Sequence, residues 1–243
     1  MILNIPHSST LIPPEYLHQY RIDIADELNI MTDWFVDELF GGILSGSELQ
    51  PFAYSRLFCD VERLPHDEPM DSVGMGICYE KTHDGKQLRT LTPADKQEIV
   101  DKYYKPYHKE FSFRVRKITP WYDPIIVDCH SFSSETVSII GSNEKLPDFC
   151  IGTDALHTPA DLVNGISETI KLLGYTVGIN IPYGGTIVPQ EFLADSNVMS
   201  VMIEVNRKLY LDNNFQKNGD FNVIKDVVSN ILQTIDNYEF KKA

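Results

Sequence analysis

Short apolar runs alternate with amphipathic stretches along this chain, and this alternation restricts the possible folds more than any other feature. The apolar runs predict strands over residues 1–5, 52–59, 125–127, 175–179 and 198–205. The amphipathic stretches predict helices over residues 22–40, 93–116, 158–174 and 221–238. Strands that are separated by helices indicate an α/β fold with a mostly parallel sheet.

Length and charge exclude several classes of protein. The 243 residues are enough for one large domain, and because no linker divides them we expect a single domain over residues 1–243. The net charge of −14 disfavours nucleic acid and anionic membranes, since phosphate binding needs clustered Lys and Arg. No apolar run approaches the roughly 20 residues that span a bilayer, and the first residues lack a signal peptide's basic flank. We therefore expect a cytoplasmic protein.

His130 is the strongest chemical signal in the sequence. It follows the apolar run 125–127, and Asp128 shares its face of the strand because side chains alternate. A neutral imidazole is a common zinc ligand, and a nearby carboxylate can orient it. Taken alone, His130 fits a hydrogen-bonded structural histidine equally well.

A second histidine is expected at the same edge of the sheet. His7 follows the first predicted strand, although alone it is also typical of a surface loop. A catalytic zinc needs about three protein ligands and an open position. We take Asp33, at the start of an acidic helix, as the third ligand. An exposed helix carboxylate explains Asp33 as well.

Four further residues could bind or activate a substrate. Glu204 lies inside an apolar strand, where it fits either a general base with a raised pKa or a salt bridge to Arg207 or another cation. Arg56 and Arg63 fit a dicarboxylate substrate and an oxyanion, or ion pairs with the acidic residues between them. Tyr183 precedes two glycines, in a turn that either approaches a ligand or is an ordinary turn.

An ordered set of segments resembles the N-formylglutamate amidohydrolase family, a relative of the zinc carboxypeptidases. The segments are Pro6-His7-Ser8, Thr32-Asp33-Trp34, Ser55-Arg56 to Arg63, Tyr104 to His108, Asp128-Cys129-His130-Ser131, Pro182-Tyr183-Gly184-Gly185 and Ile203-Glu204-Val205-Asn206-Arg207. No single segment is specific, but the ordered set is, and it covers most of the chain. The resemblance implies a three-layer α/β/α sandwich with a mixed, mostly parallel sheet, as in zinc carboxypeptidases.

The resemblance also implies an activity and a role for each residue. The activity is cleavage of N-formyl-L-glutamate to formate and L-glutamate, a step of histidine degradation, with one Zn²⁺ per chain. The implied ligands are His7, Asp33 and His130; the implied catalytic residues are Glu204 and Arg56; and the residues expected to bind the substrate are Arg63, Ser131 and Tyr183. The sequence departs from the family at Ser9, where Gly is usual, and at Glu62, where Asn is frequent. These changes bear on glutamate specificity more than on the metal.

Two other functions use the same residues. A zinc peptidase, or a hydrolase of another N-acyl amino acid, would differ only in its pocket. A non-catalytic protein would use Arg56 and Arg63 to hold an acidic metabolite. Glu204 argues against the binder, since a protein that only binds acids gains little from a buried carboxylate. No feature of the sequence indicates an oligomeric state.

Overall fold

The computed structural model describes residues 1–121, 123–138 and 145–238. Its strands are β1 (Ile2–Ile5), β2 (Glu48–Pro51), β3 (Ile125–Phe132), β4 (Phe149–Gly152), β5 (Val177–Ile179) and β6 (Met199–Asn206). Its α-helices are α1 (Ala25–Met31), α2 (Val36–Phe40), α3 (Pro93–Ile99), α4 (Lys105–Ile118), α5 (Ser134–Ser138), α6 (Ala160–Leu172) and α7 (Phe221–Asp236). Short 3-10 turns and loops connect them.

The strands form a mixed, mostly parallel sheet in the order β2-β1-β3-β6-β4-β5. Every neighbouring pair is parallel except β4 and β6, which run antiparallel. Strands β1, β3 and β6 are buried along their whole length. This burial on both faces explains why they read as continuous apolar runs in the sequence.

Helices cover both faces of the sheet and complete a three-layer α/β/α arrangement. On one face, Leu3 and Val127 belong to a core shared with α2, α6 and α7. On the other face, Ile2 and Ile126 pack in a second core with residues of α4. Because side chains alternate along a strand, even-numbered positions of β3 and β6 point toward the α4 side. The expected fold class is therefore confirmed.

Two predicted elements are wrong. Residues 52–59 form turns, and the second strand is β2, which ends at Pro51. The run reads as a strand because Leu57 and Phe58 are fully buried, but both lie in irregular chain. Phe58 packs with residues of α3 and α4, whereas Leu57 packs with Met31 and Tyr79. The single helix expected over residues 22–40 is two helices. Phe35 separates them in a left-handed conformation with φ 59°.

The long helix after Leu91 begins as the sequence predicts. Thr92 accepts a hydrogen bond from the Asp95 amide, the Asp95 carboxylate caps the Thr92 amide, and Pro93 holds the first helical position. Between α3 and α4 the chain makes one wider, π-helical turn over Val100–Tyr104. Among the described residues, no helix combines the length and apolar character needed to cross a membrane.

Candidate active site

The carboxyl ends of β1, β3 and β6 open into a cavity of about 270 Å³. His7 lies two residues after β1, and His130 on β3 pairs in register with Glu204 on β6. All eight residues that the sequence predicted for the site line this cavity: His7, Asp33, Arg56, Arg63, His130, Ser131, Tyr183 and Glu204. The cavity therefore brings the predicted residues together, and their contacts indicate what each can do.

One ring nitrogen of His7 is held and the other is free. Nε2 lies 2.9 Å from Oδ1 of the buried Asp60 carboxylate. Nδ1 is buried and has no hydrogen-bond partner among the described residues. Burial, followed by the Arg56 charge, lowers the pKa of His7 to about 4, so the ring is neutral at physiological pH. A neutral imidazole that is fixed by a carboxylate on one nitrogen is the usual arrangement of a metal ligand.

His130, unlike His7, is held by a carboxylate at each of its ring nitrogens. Its Nε2 lies 3.1 Å from Oδ1 of Asp128, and its Nδ1 lies 3.1 Å from Oδ2 of Asp33. The rings of His7 and His130 are 5.1 Å apart. Burial alone would lower the pKa of His130, but the carboxylates of Glu62 and Asp128 raise it well above its ordinary value. The two histidines thus face a common point that is rich in negative charge.

Two carboxylates can join the histidines around a metal ion. The ligand atoms of His7, Glu62 and His130 all lie within 4.8 Å of one another. Oδ2 of Asp33 lies 3.1 Å from Nδ1 of His130 and 3.9 Å from Nδ1 of His7. Tetrahedral zinc with ligand bonds of 2.0–2.2 Å separates its ligand atoms by about 3.4 Å. The set of His7, Glu62 and His130 therefore fits a metal ion of this size, and Asp33 lies close enough to each histidine to join it.

The chemistry of these groups also fits a divalent cation. The carboxylates of Asp33, Glu62 and Asp128 surround His130 inside the protein, where unpaired charge is costly. A divalent ion would offset that charge and fill the free Nδ1 position of His7. Imidazole nitrogen and carboxylate oxygen are ligands that suit zinc. The residues present thus fit the metal that the sequence predicts.

Asp33 is held by groups that the sequence did not link to it. It lies in the turn between α1 and α2 rather than at a helix start. Arg207 Nη2 donates to Oδ1 at 2.8 Å, and Ser131 Oγ donates to the same oxygen at 3.2 Å. Burial alone would raise the pKa of Asp33, but His130 and Arg207 bring it below its ordinary value. Oδ2 is left to face the histidines.

Glu204 lies beside the candidate metal ligands and forms no ion pair with any residue that the structure describes. The carboxylate is 6% exposed, and its Oε2 is buried with no hydrogen-bond partner among the described residues. Arg207, the alternative partner that the sequence suggested, donates to Asp33 instead. Burial raises the pKa of Glu204 to about 7. A carboxylate whose pKa lies near 7 can accept a proton near neutral pH.

Asp60 connects both arginines to the first histidine. Its Oδ2 lies 3.0 Å from Nη2 of Arg56 and 3.4 Å from Nε of Arg63. The Tyr79 hydroxyl donates to Oδ2 at 2.8 Å and accepts from Nη2 of Arg63 at 3.2 Å. The ion pairs expected with Asp60 are therefore present, and they position the arginines at the cavity beside His7.

The chain segment that carries Glu62 and Arg63 is fixed from the helical layer. The Tyr104 hydroxyl, at the end of the π-helical turn, donates to the Arg63 carbonyl oxygen at 2.7 Å. Nε2 of His108, on α4, lies 2.8 Å from the carbonyl oxygen of Val61. This contact accounts for His108, which belongs to one of the segments that resemble the family. Its ring supports the segment rather than the cavity.

Tyr183 reaches the cavity because its loop packs closely on β4. The Cys150 thiol donates to the Tyr183 carbonyl oxygen at 3.1 Å. A Cβ atom at Gly152 would collide with the carbonyl oxygen of Gly185 and with the Met202 side chain. Only glycine therefore lets this loop approach the strand.

Sequence reasoning missed several parts of the site. Glu62 appeared only as a departure from the family and as one of the acidic residues between the arginines, whereas its carboxylate lies beside both histidines. Tyr79 received no role although it contacts Arg63, and Arg207 appeared only as an alternative partner of Glu204, whereas it binds Asp33. The one available signal was spacing, since an acidic residue stands between two arginines in residues 56–63.

Comparisons with known proteins identify the family and support the fold. A sequence profile described as N-formylglutamate amidohydrolase matches residues 1–211, which include every residue that lines the cavity. A crystal structure of N-formylglutamate amidohydrolase from Ralstonia eutropha JMP134 has a TM-score of 0.84 at 20% identity, covering 97% of this chain and 92% of that one. A gene product from Agrobacterium tumefaciens has a TM-score of 0.70 at 20% identity, covering 97% and 91%. No curated protein matches. Because the profile spans most of its length, the chain belongs to the N-formylglutamate amidohydrolase family.

Proposed function

We propose that this protein is a zinc-dependent hydrolase that converts N-formyl-L-glutamate to formate and L-glutamate in histidine degradation. Membership of the amidohydrolase family supports hydrolysis of an amide. The observation that carries the metal is the free, buried Nδ1 of His7, which faces a group of carboxylates. The cavity of about 270 Å³ is near the lower end of small-molecule sites, as a small metabolite requires.

The proposed ligands are His7, His130 and Asp33. With Nε2 of His130 held by Asp128, its Nδ1 remains for the metal, and Oδ2 of Asp33 lies beside it. Glu62 approaches His130 at Nε2, the nitrogen that Asp128 already occupies. Asp33 is therefore the better third ligand, and Glu62 lies next to the ion.

Substitution of Asp33 and of Glu62 shows which of the two carboxylates is the third metal ligand. We expect Asp33→Asn to weaken zinc binding by about 100-fold, and Glu62→Gln to weaken it by less than about tenfold. Competition with a chromophoric chelator measures both affinities, and circular dichroism checks that each variant is folded. The opposite order would make Glu62 the third ligand.

Zinc held there would polarise the amide carbonyl and make water a stronger nucleophile near neutral pH. Glu204 accepts the proton of the attacking water at Oε2, which no other group of the described chain occupies. Arg56 donates hydrogen bonds to the negative charge that develops on the carbonyl oxygen. The C–N bond then breaks, the water oxygen stays on formate, and Glu204 gives its proton to the departing amine.

The remaining residues orient the substrate. Arg63 and Tyr183 line the cavity and would hold a substrate carboxylate. Ser131 also lines it, and its hydroxyl accepts from Nε of Arg207 at 3.0 Å while donating to Asp33. Through these contacts Ser131 would shape the wall of the substrate site.

Release of formate tests the proposed function. Zinc-supplied protein should convert N-formyl-L-glutamate to equal amounts of formate and L-glutamate. Enzymatic formate detection and amino-acid analysis measure the two products. The same assay is run with N-acetyl-L-glutamate and with a dipeptide as substrates. Hydrolysis of the dipeptide without formate release would identify a peptidase. Tight binding of N-formyl-L-glutamate without turnover would identify a non-catalytic binder.

A further inference from the structure

Methionine is concentrated at the cavity. The chain has six methionines, and four of them line this one site: Met31, Met70, Met75 and Met202. The first three belong to a single apolar group that also contains Leu57, Tyr79 and Leu88. We call Met31, Met70 and Met75 the methionine cluster. Metal chemistry and amide cleavage do not require these side chains, so they point to a feature of the substrate.

The methionine cluster lies next to Arg56 and Arg63, because Tyr79 contacts both groups. The guanidinium of Arg56 lies 6.0 Å from the centre of the Tyr79 ring, and the Tyr79 hydroxyl accepts from Arg63 at 3.2 Å. Tyr79 itself packs with the methionines. In an amino acid the carboxylate and the side chain share one carbon atom. A substrate carboxylate on Arg63 therefore places the first side-chain carbons against the methionine cluster.

The cluster has nothing with which to bind a second carboxylate. Among the described residues that line the cavity, the guanidinium groups are those of Arg56, Arg63 and Arg207. Arg207 is occupied by Asp33 and Ser131. Methionine is apolar, unbranched and polarizable, so it adapts to hydrocarbon chains of different shapes. This surface can therefore bind the methylene groups of a side chain without requiring a charged end.

We propose that the methionine cluster binds the hydrocarbon part of the amino-acid side chain, so that the enzyme also hydrolyses N-formyl amino acids with unbranched apolar side chains. This inference rests on the proposed amide hydrolysis and extends its substrate class. In the step, water adds its oxygen to the formyl carbon, the C–N bond breaks, and the amine takes up a proton. The products are formate and the free apolar amino acid.

A substrate series on the zinc-supplied protein tests the proposal. We expect N-formyl-L-norleucine to be hydrolysed with a kcat/KM within about tenfold of that for N-formyl-L-glutamate, and N-formyl-L-aspartate to be about 100-fold poorer. Aspartate has one methylene fewer, so its charge would lie against the cluster. Hydrolysis of the glutamate compound with norleucine more than 100-fold poorer overturns this inference and leaves the proposed function standing. If no N-formyl compound releases formate, both are wrong.

A matched pair of variants tests the residues themselves. Met70 is half-buried in the short 3-10 helix Pro69–Val73, so Met70→Gln replaces its thioether with an amide of similar length. We expect the ratio of kcat/KM for norleucine to that for glutamate to fall about tenfold, and Met70→Leu to restore it. Calorimetry of N-formyl-L-norleucine binding to Glu204→Gln protein gives a second measurement, which should have a negative heat-capacity change. An unchanged ratio in Met70→Gln would contradict the assignment.

Discussion

Replacement of His130 by alanine should remove both the metal and the activity. The substitution takes away one of two imidazoles and leaves Asp33 and Asp128 without their ring partner. Zinc content should fall from about one ion per chain to near zero. Loss of several kcal/mol of metal catalysis should lower kcat/KM for N-formyl-L-glutamate by about 10³-fold or more. Elemental analysis and formate release measure the two effects on the same sample.

A histidine outside the cavity provides the control. His18 is exposed and does not line the cavity, so His18→Ala should keep both zinc content and turnover. Thermal unfolding of the His130→Ala protein shows whether the fold survives. Full metal content and full amide hydrolysis in folded His130→Ala protein would mean that the metal site is elsewhere.

Replacement of Glu204 by glutamine should separate proton transfer from metal binding. The amide keeps the shape of the carboxylate but cannot accept the proton of the attacking water. General-base catalysis contributes about 10²–10⁴-fold, so kcat should fall by that range. Zinc content should be unchanged because Glu204 is not among the proposed ligands. Steady-state kinetics and elemental analysis of one preparation measure both quantities.

The matched control is Glu168→Gln, an exposed carboxylate on α6, which should leave kcat and zinc content unchanged. Equal kcat values for Glu204→Gln and wild type would exclude Glu204 as the base. A parallel loss of zinc in Glu204→Gln would instead identify it as a ligand.

The parallel strands were the most predictable part of the molecule, and they carry most of the site. Strands β1, β3 and β6 are buried on both faces, so their sequences are continuously apolar and easily recognised. Chemically informative residues such as His7 and His130 stand at their carboxyl ends. Because parallel strands end at the same edge of a sheet, these residues meet in one cavity without any further information.

Elements with weak or misleading patterns were missed. Strand β2 contains charged and polar residues because it lies at the sheet edge, and β4 is four buried residues that run antiparallel to β6. Residues 52–59 are apolar and buried but irregular. Burial alone gives the same composition to a strand and to a buried loop, so periodicity could not separate them.

The supporting contacts of the site depend on packing between distant segments. Arg207 binds Asp33 across 174 positions of the chain, and Glu62 contacts the Asn4 amide across 58. Nothing local to Asp33 indicates that its Oδ1 would be taken by Arg207 and its Oδ2 left for the histidines. Residue types and strand ends therefore predicted which residues meet, whereas the direction of each polar atom required the structure.

Zinc stoichiometry of the purified wild-type protein is the most direct test of the account, whose central claim is a metal ion between His7 and His130. The free Nδ1 of His7 and the surrounding carboxylates predict about one zinc ion per chain that survives desalting. Absence of bound metal, even after zinc is added to folded protein, would contradict the account.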